Sequence, residues 1–184
     1  MAEFATTQRL KLRSYDPARD EQNFVEVIFT YDNLRIGSRD LAPMRPKDRT
    51  KLLETIDNSL FFAIVETLAS PGTEAGQFVG SFVLKGDGAP RNRTATLGIA
   101  FVKEHQNKGY GTEVLRFLLL HAFDHLGLHR VQLEVRANND RAIALYKKVY
   151  VPDTSISIPE NLLTLTSISQ RLCTGGIASQ NGLA

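Results

Sequence analysis

The sequence predicts an α/β (α+β) domain built on a mixed central sheet. Two β-rich apolar runs, Leu60 to Val65 and Phe78 to Leu84, flank a turn region that contains proline and glycine, which indicates an antiparallel pair. A third run, Ala95 to Val102, leads through a glycine turn and a long helix to a fourth run, Val131 to Val135. This order is typical of a right-handed crossover between parallel strands. Both strand orientations are therefore expected in one sheet.

Length and periodicity complete this picture of a single domain. The 184 residues are 42% hydrophobic, enough for one substantial core. Leu10 and Leu12 alternate with charged residues, which predicts a short strand at the beginning of the chain. Apolar residues at helical spacing predict helices over Asp20 to Leu34, Lys47 to Ile56, Gly109 to Leu126 and Arg141 to Lys148, with an irregular loop over Arg35 to Pro46.

The charge balance argues against nucleic-acid binding. The chain has 22 Lys and Arg against 20 Asp and Glu, a formal net charge of +2, without the basic excess that contact with a phosphate backbone requires. No run approaches the ~20 apolar residues of a membrane-spanning helix, and the first ten residues lack the apolar core of a signal peptide. We expect a cytoplasmic monomer or homodimer that binds neither nucleic acid nor membrane.

Neither the cysteine nor the histidines predict a metal or nucleophile site. Cys173 is the only cysteine, and it lies far from every motif. His121, His125 and His129 recur every four residues, which would place imidazoles on one helical face. No carboxylate or cysteine completes a ligand set at motif spacing, so we expect a solvated helix face and no metal.

The segment Gln106-Asn107-Lys108-Gly109-Tyr110-Gly111 joins the third strand directly to the long helix. Its two glycines allow close approach of a ligand to the backbone, and the unpaired N–H groups of a first helical turn attract anions such as a pyrophosphate. A tight turn without a ligand is the alternative for two glycines taken alone. The position at the carboxyl edge of the sheet favours a ligand site.

In this context, Gln106-x-x-Gly109-x-Gly111 resembles the acetyl-CoA signature of the Gcn5-related N-acetyltransferase (GNAT) superfamily, Gln/Arg-x-x-Gly-x-Gly/Ala. Downstream, Asn139-x-x-Ala142-x-x-Leu145-Tyr146-x-Lys148 is similar to the next motif of that family. The similarity extends from Leu97 to Val149 and resembles the ribosomal-protein and diamine acetyltransferase branches. It implies the GNAT fold with helices on both faces of the sheet, an N-acetyltransferase domain over residues 8–149, and acetyl-CoA as co-substrate.

The resemblance also implies roles for the motif residues. Tyr146 would be the catalytic acid for the leaving thiolate, because a phenol of pKa ~10 is matched to a thiol near 8.5. A packed core tyrosine is the alternative. Asn139 would bind the pantetheine or orient the following helix, with helix capping as the alternative. The implied cofactor-binding residues are Gln106, Asn107, Lys108, Gly109, Tyr110, Gly111, Thr112 and Asn139.

The general base remains open. Many relatives have a glutamate two residues before the glycine that is Gly98 here, and this sequence has Thr96 at that position. Glu104 and Glu134 are the other carboxylates near that edge, and either can equally be a solvated surface charge. The resemblance therefore predicts acetyl transfer from acetyl-CoA to a primary amine of a protein or a small molecule. The alternative, suggested by Thr96, is a catalytically silent acetyl-CoA-binding or interaction module.

Residues 150–184 depart from the family pattern. After Val149 the family continues with Gly-Phe and a β-hairpin, whereas this chain continues with Tyr150-Val151-Pro152 and a tail rich in Ser, Thr and Leu. We hypothesise that Tyr150 to Gln170 translates a retained intron, because the codons of Val149 to Val151 permit a splice donor. The shifted frame of Arg171 to Gly176 can then encode the missing Gly-Phe sequence.

A divergent C-terminus is the alternative to this hypothesis. In either case the sequence predicts that the family's hairpin is missing and that the tail is largely disordered, with partial substitution by the strand-like residues Leu162 to Ile168 as the alternative. The strand Val131 to Val135 would then have an exposed edge.

Overall fold

The computed structural model describes residues 3–29, 46–69, 76–149, 155–157 and 162–168. They form an eight-stranded mixed sheet with the order β1-β2-β3-β4-β5-β6-β8-β7. The strands are β1 (Glu3–Thr6), β2 (Leu10–Arg13), β3 (Phe61–Thr67), β4 (Phe78–Gly86), β5 (Thr94–Phe101), β6 (Arg130–Arg136), β7 (Ser155–Ser157) and β8 (Leu162–Ile168). The helices are α1 (Pro17–Phe29), α2 (Pro46–Asp57), α3 (Tyr110–Leu120) and α4 (Asp140–Val149), with 3₁₀ turns at Pro90–Asn92 and Lys103–His105.

The two strand patterns predicted from the sequence are confirmed. Strands β3 and β4 form the antiparallel pair, and β5 and β6 are the parallel pair joined through α3. The short strand β1, which pairs with β2, was not predicted. The helix boundaries differ in places. Helix α1 begins before Asp20 because the Asp16 carboxylate accepts a hydrogen bond from the Ala18 N–H at 3.0 Å and Pro17 occupies the first helical position.

Other predicted boundaries lie outside the described residues or differ from the observed ones. The last part of the first predicted helix and nearly all of the loop Arg35 to Pro46 lie outside the described residues. The long helix was predicted to continue to Leu126, but α3 ends at Leu120 and a π-helical turn, His121–His125, follows.

Helices cover both faces of the sheet, as predicted. Leu12 and Arg13 are neighbours on β2 and therefore point to opposite faces. Leu12 belongs to the apolar core that includes Leu115 of α3 and Tyr146 of α4. Arg13 is buried on the other face, where it contacts Asp20 of α1. Helices α3 and α4 thus share one face, and α1 packs on the opposite one.

Strands β5 and β6 separate after a short parallel pairing. Thr94 to Leu97 pair with Arg130 to Leu133, and beyond these residues the two strands are no longer paired although both continue. The two strands therefore diverge toward their carboxyl ends. This divergence leaves an opening at the end of β5 where the chain turns into α3.

The far edge of β6 is covered, so the prediction of an exposed edge is wrong. Strand β8 pairs antiparallel with β6 from Arg130↔Ile168 to Arg136↔Leu162, and β7 pairs with β8. The hairpin was therefore not missing, and these parts of the tail are not disordered. The misprediction has a physical reason: an unpaired strand offers free N–H and C=O groups to any β-forming segment, and residues 162–168 have such a composition. The remaining residues of 150–184 lie outside the described part of the chain.

A buried ionic cluster attaches α1 to the sheet. The Arg13 guanidinium donates to both carboxylate oxygens of Asp20 at 2.5 Å and to Glu66 Oε1 on β3 at 2.7 Å. Arg19 of α1 also donates to Glu66 Oε1, at 2.7 Å. Burial alone would lower the pKa of Arg13, but hydrogen bonds and charges from Asp20 and Glu66 outweigh it and raise the pKa above its ordinary value. The charges balance, and the cluster was not predicted from the sequence.

Removing one charge from this cluster should destabilise the protein strongly. Glu66→Gln keeps the shape of the side chain but leaves the buried Arg13 guanidinium with one carboxylate, Asp20, in place of two. We expect a loss of about 3 kcal/mol in the free energy of unfolding, which corresponds to a fall of roughly 10 °C in melting temperature. Glu54→Gln, on the exposed side of α2, is the matched control and should change neither quantity measurably. Equal melting temperatures for both variants would contradict the structural role of the cluster.

Candidate active site at the end of β5

The turn between β5 and α3 has the backbone geometry of an anion-binding site. Asn107 and Gly109 both adopt left-handed conformations, at φ 62° and 82°. Gly109 is the N-cap residue of α3, and no side chain caps this helix end. The N–H groups of the first helical turn are therefore not used by a capping side chain, and they carry the positive end of the helix dipole. Left-handed residues within such a turn bring successive N–H groups together into an anion-binding concavity.

The two glycines of the turn have different structural roles. A Cβ atom on Gly109 would lie 3.2 Å from Arg9 Nη2, and the positive φ independently favours glycine here. A Cβ atom on Gly111 would lie 2.8 Å from Leu145 Cδ2 and 3.4 Å from the Phe101 ring. Gly111 thus permits α3 and α4 to pack closely, which differs from the expectation that its small size admits a ligand.

Gln106 connects three parts of the site through its side chain. Its Nε2 donates to the Phe101 carbonyl at 3.0 Å, and its Oε1 accepts a hydrogen bond from Arg141 Nη1 on α4. The end of β5, the turn and the beginning of α4 are therefore held together by one residue. The Gln106 backbone N–H donates to the Lys103 carbonyl at 3.2 Å, so in this arrangement the residue positions the turn.

His105 and Lys108 form a pair at the same turn, and sequence reasoning did not single out His105. His105 is buried beneath the turn, with Lys108 Nζ 3.4 Å from its Nδ1. Burial lowers the pKa of His105, the charge of Lys108 lowers it further, and Glu104 opposes these effects. The imidazole is therefore neutral near pH 7, and Lys108 supplies an exposed positive charge beside the turn.

Asn139 caps α4, which was the alternative left open by the sequence. Its Oδ1 accepts a hydrogen bond from the Ala142 N–H at 3.1 Å, and its carbonyl accepts from the Ile143 N–H at 3.0 Å. Helix α4 therefore begins next to the turn that contains Gln106, because Arg141 lies in its first turn. Two helix N-termini are brought to the same region of the molecule.

Tyr146 lies on α4 within the shared apolar core. It is 7% exposed, and burial raises the pKa of its hydroxyl to about 12. The phenol is therefore protonated at every pH below about 11. The raised pKa makes the hydroxyl a poorer proton donor than a free phenol, so donation of a hydrogen bond to a thiolate is the chemistry that its environment favours.

The position expected for a general base carries no carboxylate. Thr96 on β5 lies opposite Gln132 on β6, whose Nε2 donates to Thr96 Oγ1 at 3.1 Å. Glu134 follows on the same face of β6 and is exposed, as is Glu104. The threonine hydroxyl thus links the two strands just before they separate.

The three histidines do not share one solvated face. His121 packs among Phe4, Phe61 and Phe117, with centroid distances of 5.0, 4.6 and 5.9 Å. Burial lowers its pKa, and neighbouring His125 lowers it further. The expected solvation is therefore wrong for His121, because β1 and the beginning of β3 cover the π-helical turn after α3. Within the described residues, no three His, Cys, Asp or Glu side chains are arranged to hold a metal ion.

The family model described as the acetyltransferase (GNAT) family matches residues 30–150. The chain belongs to this family, whose members generally are acetyl-CoA-dependent enzymes. No curated protein sequence matches the chain. Among the helices of the described residues, none is both long enough and apolar enough to cross a membrane.

Solved structures support the fold. A spermidine N-acetyltransferase from Vibrio cholerae, in complex with CoA and spermine, is 18% identical over 89% of this chain and 97% of that chain, with a TM-score of 0.68. A GNAT-family acetyltransferase from Bacillus anthracis has 18% identity, coverages of 89% and 96%, and a TM-score of 0.67. A protein assigned as a ribosomal-protein-serine acetyltransferase from V. cholerae has 19% identity, coverages of 89% and 96%, and a TM-score of 0.63. Identities this low establish the fold, and the branch within the family stays a prediction.

A negative charge introduced at position 109 should weaken the binding of a pyrophosphate to the turn. Asparagine and aspartate tolerate the left-handed conformation better than most residues and have nearly the same shape. We expect Gly109→Asp to bind acetyl-CoA at least about 10-fold more weakly than Gly109→Asn, because the added carboxylate opposes an anion at a helix N-terminus. Isothermal titration calorimetry measures the difference. Equal affinities in the two variants would remove the turn from the binding site.

Proposed function

We propose that the protein transfers an acetyl group from acetyl-CoA to a primary amine of a protein or a small molecule. The observation that carries the proposal is the uncapped N-terminus of α3, with left-handed Asn107 and Gly109, beside the opening where β5 and β6 separate. A pyrophosphate fits the turn, and the strand opening suits the extended pantetheine arm. The neighbouring spermidine acetyltransferase structure contains CoA and a polyamine, which supports a cationic amine as one acceptor to test.

In the proposed reaction the amine attacks the thioester carbonyl directly and no acyl-enzyme forms. The backbone N–H groups of Lys108 to Thr112 bind the pyrophosphate, with the Lys108 side chain adding a positive charge. Tyr146 hydrogen-bonds the departing thiolate through its hydroxyl. With Thr96 in the position of the family's usual glutamate, a water relay or one of the exposed carboxylates, Glu104 or Glu134, removes the proton from the amine.

A catalytically silent acetyl-CoA-binding module is the second candidate. Thr96 favours it, because its hydroxyl is bonded to Gln132 and has no basicity near neutral pH. Calorimetry with acetyl-CoA, followed by thiol release with polyamines, small amines and peptides with free N-termini, separates the two. Binding with turnover supports the enzyme, binding without turnover for any amine supports the module, and absence of binding contradicts both.

Tyr146→Phe should lower turnover by roughly 10 to 1000-fold while acetyl-CoA affinity stays nearly constant, because only the hydrogen-bonding hydroxyl is lost. The phenol is protonated far above neutral pH, so the parent should show no loss of rate below about pH 11 that depends on this residue. Stopped-flow or colorimetric thiol assays across pH measure both effects. A mutant as fast as the parent would make Tyr146 a core residue only.

We also propose that the family's own sequence, residues 8–149, ends at Val149 and that residues 150–184 have a different origin, although their strands β7 and β8 complete the sheet. The end of the family match at residue 150 supports this boundary. The codons that permit a splice donor at Val149 to Val151 support a retained intron as its origin. Sequencing of the transcript should reveal a spliced mRNA that lacks the codons of Tyr150 to Gln170. A transcript pool with only the unspliced form would reject the intron.

A further inference from the structure

The turn between β1 and β2 is fastened to the beginning of α3 through Arg9 and Glu113. Arg9 Nε donates to Glu113 Oε2 at 2.8 Å, and the Arg9 backbone N–H donates to Glu113 Oε1 at 2.8 Å. Thr7 Oγ1 donates to the same Oε1 at 2.6 Å. The residues involved are about a hundred positions apart in the chain. We call this arrangement of Thr7, Arg9 and Glu113 the clasp.

The clasp reaches the turn that precedes α3. Arg9 Nη1 donates to the Lys108 carbonyl at 2.9 Å, and the guanidinium lies 4.8 Å from the centre of the Tyr110 ring. Its Nη2 lies only 3.2 Å from the position that a Cβ atom at residue 109 would take, which is closer than an ordinary van der Waals contact. The guanidinium thus contacts three consecutive residues of the turn. Glycine at position 109 therefore allows both the positive φ and the close approach of Arg9.

The hydrogen bond from Arg9 to the Lys108 carbonyl controls the direction of the Gly109 N–H group. In a planar trans peptide, the C=O of one residue and the N–H of the next point in opposite directions. A guanidinium that holds the Lys108 carbonyl therefore turns the Gly109 N–H to the other side of the peptide, away from Arg9. Without this contact, the Lys108-Gly109 peptide would be freer to rotate, since glycine tolerates both signs of φ.

Glu113 is held as an anion in this arrangement. Burial acts to raise its pKa, but hydrogen bonds from Thr7 and Arg9 outweigh burial and lower the pKa below its ordinary value. Its carboxylate accepts hydrogen bonds from both the backbone N–H and the Nε of Arg9, which restricts the guanidinium to one orientation. Arg9 in turn neutralises a negative charge that would otherwise lie one helical turn from the proposed pyrophosphate site.

We propose that Arg9 is a positioning residue for acetyl-CoA binding: oriented by Glu113, its guanidinium holds the Lys108-Gly109 peptide so that the N–H groups of the turn converge on the pyrophosphate. This inference rests on the proposed function. It assigns to the first strands of the chain, far from both sequence motifs, a part in preparing the cofactor site.

The test compares Arg9→Ala, Arg9→Lys and Glu113→Gln with the parent. We expect the dissociation constant and KM for acetyl-CoA to rise about 10-fold in Arg9→Ala, with little change in kcat, because a charge-assisted hydrogen bond that orders the site is lost. Arg9→Lys keeps the positive charge but lacks the planar guanidinium, and it should bind acetyl-CoA about as weakly as Arg9→Ala. Glu113→Gln should also weaken binding. Arg116→Ala, an exposed charge loss on the same helix, is the control and should leave affinity unchanged.

The direction in which acetyl-CoA affinity changes in the Arg9 and Glu113 variants distinguishes positioning of the peptide from a simple charge effect. Removing Arg9 makes the site more negative and removing Glu113 makes it more positive, so a charge effect alone would change acetyl-CoA affinity in opposite directions and fade with added salt. Positioning predicts weaker binding in both variants, and persistence at high salt. Restored affinity in Arg9→Lys, or tighter binding in Glu113→Gln, would overturn the inference.

The parent protein is titrated first, so that failure of the proposed function is distinguishable. A parent that does not bind acetyl-CoA contradicts the proposed function and the inference with it. A parent that binds while all variants bind equally well contradicts the inference alone. Exchange of the Glu113 amide proton, which bonds the Gly109 carbonyl at 3.3 Å, gives a readout in the ligand-free protein and should accelerate in Arg9→Ala.

Discussion

The parallel pairing of β5 with β6 stops after Leu97 and Leu133, and the arrangement of the candidate site depends on this limit. Continued pairing would close the sheet beneath the beginning of α3, whereas the separation leaves an opening beside the uncapped helix end. The hydrogen bond between Gln132 and Thr96 joins the strands within the paired part. On the other edge of β6, antiparallel pairing with β8 satisfies the backbone N–H and C=O groups that point away from β5.

Helix packing fixes the position of α4 relative to the turn before α3. Gly111 allows α3 and α4 to approach at Leu145, and the next residue on α4 is Tyr146. Gln106 and Arg141 tie the turn to the beginning of α4. A change in the distance between these two helices would therefore move the proposed acid and the proposed pyrophosphate site relative to each other. Close packing between the helices is thus a functional requirement as well as a source of stability.

Charged residues outside the site align the layers of the fold. On one face, Arg13 and Glu66 attach α1 to the sheet, and on the other, Arg9 and Glu113 attach the first strands to α3. The first pair is buried and the second is partly exposed, so the first has the greater effect on folding and the second on local order. Residues of β2 and of the turn before it thereby fix one helix on each face of the sheet, α1 through Arg13 and α3 through Arg9.

The sequence by itself determined the mixed sheet, the crossover through α3 and the glycine turn, because periodicity and turn chemistry act over a few neighbouring residues. It left open whether Asn139 binds a ligand or caps α4, and it did not separate the roles of Gly109 and Gly111. Only the tertiary structure shows that Asn139 caps α4 and that the two glycines have different contacts. The partners of Gly111, Arg9 and Arg13 lie 34 to 104 positions away or on another element, and local sequence patterns carry no information about such pairs. The cover of β6 by β8 belongs to the same group, since strand pairing depends on which segments meet in space.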